Sequence, residues 1–419
     1  HEAGRLLSRY GGILGIREGD YDGAQEALGR AISIARREGD VPLEVQALSY
    51  ATEVSAAHLH LQEFVDSGLR ASSLARSEET QPGYRWWTAY SLLRMGELDA
   101  AQPHALILRD SAERRSIPLR YDSSCLVPIT YLSCLEGHWQ AGREYSDRGL
   151  EVSPLSPHHL LPRVLLEHET GNFAQGEVYL ERLFEVMRQA GLDRLSACWG
   201  VSLAIAATAH ITGDIGRLET GEAAAEAILE SDQAVAPLTT MLARAGLALL
   251  AVQTRNQTTA AEQYTYFLGQ RRTMVWTVSS VDRLLGLLSQ TLGNLDHAAA
   301  HFEDALAFSR KAGYRPELAW TCCDYAGALH ERNASEDRAK AMSLLDESLA
   351  ISTELSMRPL LERATGRLAR TRAQVSPAPA YPASLTQREV EVLALVAAGK
   401  SNQEIATVLV ISLNTVLRH

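Results

Sequence analysis

Apolar residues recur along this chain at spacings of three and four, and in three places they recur in the same frame. The run Ala24, Ala27, Leu28, Ala31, Ile32, Ile34 and Ala35 follows a Gly19-Asp20-Tyr21 turn. The run Ala298, His301, Phe302, Ala305, Leu306, Phe308 and Ser309 follows Gly293-Asn294-Leu295, each member 274 residues beyond its counterpart. A third run, Ala341, Leu344, Leu345, Ser348, Leu349, Ile351 and Ser352, repeats the frame at an offset of 317. Side chains three and four apart share one face of an α-helix, so each run predicts an amphipathic helix with a stripe to bury. One helical hairpin cannot cover such a stripe; neighbouring hairpins must stack on it.

The turn itself repeats. Gly96-Glu97-Leu98, Gly137-His138-Trp139, Gly171-Asn172-Phe173 and Gly213-Asp214-Ile215 join the two above, with consecutive gaps of 34 to 42 residues and two gaps about twice as long. Degenerate turns near Leu61, Asn256 and Ser335 fall where glycine-bearing ones are missing, which sets a period of roughly 40. Glycine supplies the backbone conformation that ends the first helix of each pair. Pro42, Pro82, Pro118, Pro237, Pro316 and Pro359 mark starts of hairpins, where a missing N–H costs little. The Gly-x-(aromatic or apolar)-x-x-Ala signature resembles tetratricopeptide repeats with a longer period. The expectation is an all-α, TPR-like superhelix of about nine hairpins over residues 1–370, whose concave surface takes an effector or a partner.

The character changes at Ser376-Pro377-Ala378-Pro379-Ala380-Tyr381-Pro382. Three prolines in six residues cannot lie inside a helix, so residues 371–384 read as a semi-rigid linker. Beyond it, Thr386 with Glu389 and Ser401 with Glu404 have the spacing of capping boxes, and Ser412 precedes a third short apolar pattern. Three capped helices, with a tight turn between the last two, are the grammar of a helix-turn-helix.

The string LTQREVEVLALVAAGKSNQEIATVLVISLNTVLRH resembles the LuxR-type DNA-binding domain. The match lies in its Leu-Thr opening, Glu391-Val392-Leu393, Gly399, Glu404-Ile405-Ala406, Ile411-Ser412, Thr415-Val416 and His419. It covers the first half to two-thirds of that domain. Together with the solenoid and the proline linker, it is similar to the large ATP-dependent, maltose-regulator-like LuxR-type regulators. That resemblance implies an effector-sensing solenoid, an NTPase domain upstream of His1 that would bind ATP, self-association when active, and promoter binding by the C-terminal part. It places Lys400, Ser401 and Asn402 where the second helix meets the DNA backbone. Ser412 caps the recognition helix, and Asn414, Thr415, Leu417, Arg418 and His419 lie on its leading part. Arg418 carries the planar fork suited to guanine or phosphate. Leu417 stands where the family commonly has a lysine or another polar residue. The family's later basic residues and dimerising fourth helix fall beyond His419. The chain begins at His1 rather than Met and stops mid-pattern, so both ends read as cut, and residues 385–419 alone are expected to bind DNA poorly.

Composition narrows the alternatives. The formal charge of −11 argues against a body that wraps nucleic acid, so DNA contact must be local. Five cysteines (Cys125, Cys134, Cys198, Cys322, Cys323) lack disulfide or zinc spacing and read as buried thiols of a cytoplasmic protein. Leu195–Gly213 runs without a formal charge, yet its Ser, Thr and His residues and its Gly-Asp ending fit a buried repeat helix better than a membrane span. No catalytic motif emerges, and no enzyme activity, cofactor or metal is expected in these residues. Gly399-Lys400-Ser401 lacks the earlier glycine of a phosphate loop, since position 394 is Ala394. His297 and His301 are four apart, but His301 sits on the core stripe with no evident third ligand. His158-His159 reads as a solvated connector. Trp86, Trp87, Trp199, Trp276 and Trp320 read as helix-packing residues rather than as a groove lining. The functional expectation is a transcription regulator; the alternative is a TPR-like interaction scaffold with a degenerate helix-turn-helix.

Overall fold

The computed structural model describes residues 2–75, 83–114, 124–189, 194–231, 235–373 and 385–418, and the side chains of 194–197, 373 and 418 lie outside the description. Pro82, Pro118 and the Ser376–Pro382 segment fall outside it as well. Twenty-two helices are present among the described residues. The chain divides into two compact units, residues 1–365 and 366–419.

In the first unit the helices pair in sequence. The pairs are α1 (Glu2–Arg17) with α2 (Tyr21–Glu38), α3 (Val41–Ala57) with α4 (Leu61–Leu74), and α5 (Gly83–Arg94) with α6 (Leu98–Glu113). Next come α7 (Val127–Glu136) with α8 (Trp139–Val152), α9 (Pro157–Glu169) with α10 (Phe173–Gln189), and α11 (Arg194–Thr212) with α12 (Leu218–Leu229). The last three pairs are α13 (Pro237–Thr254) with α14 (Gln257–Phe267), α15 (Val281–Thr291) with α16 (Leu295–Ala312), and α17 (Arg315–Arg332) with α18 (Asp337–Glu354). Helix α19 (Arg358–Ala373) follows the ninth pair and crosses the division between the units. The periodic stripes behave as expected: Ala24, Leu28 and Ala31 of α2, Phe302 and Ala305 of α16, and Ala341 and Leu345 of α18 are all buried. The uncharged stretch is α11, and no helix among the described residues is long and apolar enough to cross a membrane.

Each of the nine within-pair turns holds a residue in the left-handed region. Six use the glycines of the sequence motif; the degenerate three use Leu59, Arg255 and Asn333, at φ 65°, 54° and 53°. A side chain in that conformation is strained by about 1–2 kcal/mol, and glycine is not. Arg255 is exposed and caps α13. Arg255→Gly should therefore raise stability by about 0.5–1 kcal/mol, after the extra unfolded-chain entropy of glycine is deducted. A thermal midpoint unchanged or lowered would show that the turn carries no strain.

In the first unit the late hairpins bond back onto the middle ones, which departs from an open array in which each repeat meets only its neighbours. The Tyr314 hydroxyl donates to the Leu93 carbonyl at 2.5 Å, and Lys311 pairs with Glu97 at 2.7 Å. Trp139 Nε1 donates to the Leu355 carbonyl, and Arg358 donates to the Thr170 carbonyl and to Asn172 Oδ1. Gly96 lies against Phe308, and Gly137 against Leu355, so closely that a Cβ at either would approach within 3 Å of the facing side chain. Junctions of the late hairpins are thus seated on the turns of the middle ones.

An insert fills part of the interior. Between α14 and α15, the two-residue strands β1 (Met274–Val275) and β2 (Ser279–Ser280) pair antiparallel. They carry Trp276 into a cluster of Tyr90, Tyr131, His158 and Trp199, with ring centroids 4.4–5.6 Å from the Trp276 ring. Trp86, Trp199, Trp276 and Trp320 are buried, as read from the sequence, whereas Trp87 is half-buried. The histidine pair is a correction: Pro157 begins α9 rather than a connector, His159 is fully buried, and burial pushes His158 down to about 4, leaving it neutral. Proline at a first helical turn had looked like loop punctuation.

Candidate DNA-contacting module and candidate effector cleft

In the second unit, α20 (Gln387–Ala397), α21 (Asn402–Leu409) and α22 (Leu413–Arg418) pack around Val392, Ile405, Ala406 and Val416, with Leu395, Leu409 and Ile411 at the edge. Both predicted capping boxes form. Thr386 and Ser401 each accept from the backbone N–H three residues on, and Glu389 and Glu404 reach back to the cap N–H. Gly399 takes a left-handed conformation at φ 77° and ends the first helix. Arg388 bonds Glu391 and reaches across to the Leu409 carbonyl at 2.8 Å, tying α20 to the end of α21.

The predicted contact residues fall into two groups. Lys400, Ser401, Asn402, Ser412, Asn414 and Leu417 are exposed, and Thr415 is half-buried. Ser401 and Ser412, however, spend their hydroxyls on caps: Ser401 accepts from Glu404 N–H, and Ser412 accepts from Thr415 N–H while bonding its hydroxyl. Asn402 and Asn414 have no side-chain engagement among the described hydrogen bonds, and Lys400 is held only loosely, 3.4 Å from Glu404. Leu417 is 64% exposed, an apolar residue on the face proposed to meet bases. The Arg418 side chain and His419 lie outside the described residues. Ser401→Ala removes one cap and should cost the module about 1 kcal/mol, read as an earlier loss of helical signal from this unit on heating.

The first unit offers a cleft that sequence reading did not locate. An open cleft of about 660 Å³ lies among α9, α10, α11, the turn after it and the start of α19. Its walls include His168, Glu177, Ile211, Arg217, Glu362 and Arg363. The volume suits a small molecule, and the lining mixes an apolar floor with a few charged groups. Arg217 is already paired with Glu177 at 2.7 Å. Arg363 donates to the carbonyls of His210 and Ile211, which end α11.

Beside the cleft runs a buried polar network. Arg283, 3% exposed, donates from Nη1 to Glu317 Oε2 at 3.0 Å and from Nε and Nη2 to Asp324 Oδ2 at 3.0 and 2.8 Å, and Nη2 also meets His210 Nε2 at 3.0 Å. Burial works against its charge, but the two carboxylates outweigh burial and hold it protonated. Glu317 also accepts from the backbone N–H and the hydroxyl of Ser280. Trp320 lies under Arg283 and Arg363, and its indole N–H donates to both oxygens of Glu169. Burial raises the Glu169 carboxyl to about 7, against the pull of Trp320, Arg283 and Arg363. The network leaves no local signal in the sequence, because its bonded members are 34 to 151 residues apart.

Asp282, His301 and Asp304 bring ligand-type atoms within 4.8 Å of one another. Arg271 already bonds both carboxylates, and Tyr264 bonds His301 Nε2. The ligand-type atoms are already engaged in an ion-pair and hydrogen-bond network through Arg271 and Tyr264. All five cysteines are buried thiols outside any disulfide.

No curated protein sequence matches the chain. Among solved structures, a tetratricopeptide repeat protein from Parabacteroides merdae ATCC 43184 aligns at 14% identity and TM-score 0.26, over 87% of this chain and 100% of that one. The TPR domain of p58(IPK) aligns at 13% identity and TM-score 0.24, over 88% of this chain and 99% of that one. Scores of this size carry no argument; the hairpin repeat stands on the coordinates described above. Residues 383–419 match the family described as bacterial regulatory proteins, luxR family, so the TPR-like solenoid is followed in this chain by a LuxR-type helix-turn-helix.

Proposed function

We propose that this chain is the sensing and promoter-binding part of a cytoplasmic transcription regulator. The observation that carries the reading is the LuxR-type helix-turn-helix with its caps formed and Lys400, Asn402 and Asn414 turned to solvent. In this reading α22 enters the major groove. Asn414 and Thr415 meet base edges, Arg418 supplies a bidentate contact, and the N-termini of α21 and α22 hold phosphates. Leu417 packs on a thymine methyl, which narrows the sequence accepted there. Full DNA affinity draws on basic residues and a dimerising helix that the resemblance places after His419, and an ATP-binding domain before His1 supplies the switch.

The effector occupies the cleft at α9–α12. It touches Pro359, Glu362 and Arg363, which belong to the helix that continues to Ala373, so binding bears on the helix leading out of the solenoid. The interaction-scaffold alternative is less favoured, because the late hairpins are bonded to the middle ones rather than left as an open array.

The test is promoter binding by the complete gene product, measured against salt. Lys400→Ala should weaken binding across all sequences and reduce the salt slope by about one. Asn414→Ala should instead relax discrimination at one base position. Salt-independent binding, or none to any fragment of the gene's own upstream region, would refute the assignment.

A further inference from the structure

The outer face of α1 is apolar, where the end of a helical stack needs a polar one. Ala3, Leu6, Tyr10 and Ile13, three and four residues apart, share one side of the helix and are all exposed. Leu6 is 64% exposed, Tyr10 56% and Ile13 48%, so the row is open along its length. Among the described residues no other helix of the first unit exposes three large apolar side chains, and α15 to α19 expose none.

One repeat later the same positions are covered. Gly19 and Leu59 hold the left-handed turns that follow α1 and α3, and Gly96 holds the turn that follows α5. Tyr10, Tyr50 and Trp87 each stand nine residues ahead of their turn, an aromatic in one frame of three successive pairs. By the same count Leu6 and Ile13 correspond to Gln46 and Glu53 of α3. Gln46, Tyr50, Glu53 and Trp87 are half-buried. What lies against α3 is the first helix of the pair before it. Tyr50 bears on Gly12 of α1, while Leu43 and Val54 bear on Gly4 and Gly15. A Cβ at any of these three glycines would come within 3 Å of the facing side chain. Large residues of one pair are thus received by glycines of the preceding pair. On α1 the large residues are present, and among the described residues nothing receives them.

We propose that α1 is an internal helix of a longer stack, and that Leu6, Tyr10 and Ile13 seat a further helical pair of the same polypeptide, encoded ahead of His1. The first helix of that pair places a glycine or an alanine beneath Tyr10, as Gly12 lies beneath Tyr50. The seat continues the interface already formed between α1 and α3. A second copy of the chain is a poorer occupant, because the glycines that could receive Tyr10 are already covered by α3. The proposal is independent of the regulatory reading.

Two proteins test it: this chain, and the same chain lengthened by its own preceding sequence, about 40 residues or one repeat. Tyr10→Cys sets a reactive thiol on the open face, and the five native cysteines are buried. In this chain that thiol should react with a maleimide as fast as a free peptide thiol. In the lengthened chain it should react about ten-fold more slowly, with a gain in helical circular dichroism. Leu6→Ser combined with Tyr10→Ser and Ile13→Ser should leave the thermal midpoint of this chain in place and lower that of the lengthened chain by several degrees. Equal reaction rates in the two proteins would overturn the seat. Protection without added helix would overturn the kind of partner. Protection already present in this chain, and growing with its concentration, would give the face to a second copy and overturn the proposal.

Discussion

Arg283→Met is expected to destabilise the solenoid by about 3–5 kcal/mol, the largest single-residue effect in the molecule. Removing one member of a buried ion pair costs that much because the partners keep their charge without compensation. Here two carboxylates, Glu317 and Asp324, would be stranded together, and His210 would lose a donor. Methionine approximates the volume of the arginine stem, so the loss reports charge rather than packing. Chemical denaturation followed by circular dichroism measures it. The further variant Arg283→Met with Glu317→Gln and Asp324→Asn should recover much of the loss, since no charge then remains unmatched. Failure to recover would mean that geometry, not charge, is what Arg283 supplies.

Glu169→Gln should change how stability depends on pH. The carboxyl of Glu169 titrates near 7 in the folded chain, because burial disfavours its charge, against 4.5 when exposed. A folded-state value raised above the unfolded one means that the folded form holds the proton more tightly. The resulting stability is complete below about pH 4.5 and is lost as pH rises through 7. The difference corresponds to about 3 kcal/mol. Glutamine accepts the Trp320 N–H without a proton to lose, so the variant should match the parent near pH 4 and exceed it by up to about 3 kcal/mol at pH 8. His104 and His158, both lowered to about 4 by burial, act in the opposite sense as pH falls. Their effect is common to both proteins and cancels in the comparison. Parallel stability curves between pH 4 and 8 would show that Glu169 is solvated and ordinary.

The features legible in the sequence are those set by neighbours. The stripes of α2, α16 and α18 share one frame because each helix must bury the same face against the next pair, and periodicity carries that demand directly. The caps of α20 and α21 are set by residues three apart, so Thr386 with Glu389 and Ser401 with Glu404 could be paired on sight. Glycine marked six of nine turns, but Leu59, Arg255 and Asn333 adopt the same conformation without an advertising side chain. The features missed are those made by distance. His158 looked solvated beside two prolines, yet it packs on Trp276, 118 residues away, which sets it within the core. The cleft and the Arg283 network join the middle of the solenoid to its late segments, and no local pattern records that meeting. Exposure of the recognition face was legible; that Ser401 and Ser412 consume their hydroxyls in capping required coordinates.

The seating of the late hairpins on Gly96, Gly137 and Gly171 also changes how the repeats should come apart. In an open array each repeat depends only on its neighbours, so ends fray first and segments can be removed one at a time. Here the third to sixth pairs and the last two brace each other across sequence separations of 73 to 221 residues. Loss of either side withdraws support from the other, and the middle and late pairs are expected to melt as a single cooperative block, with fraying confined to the first two pairs.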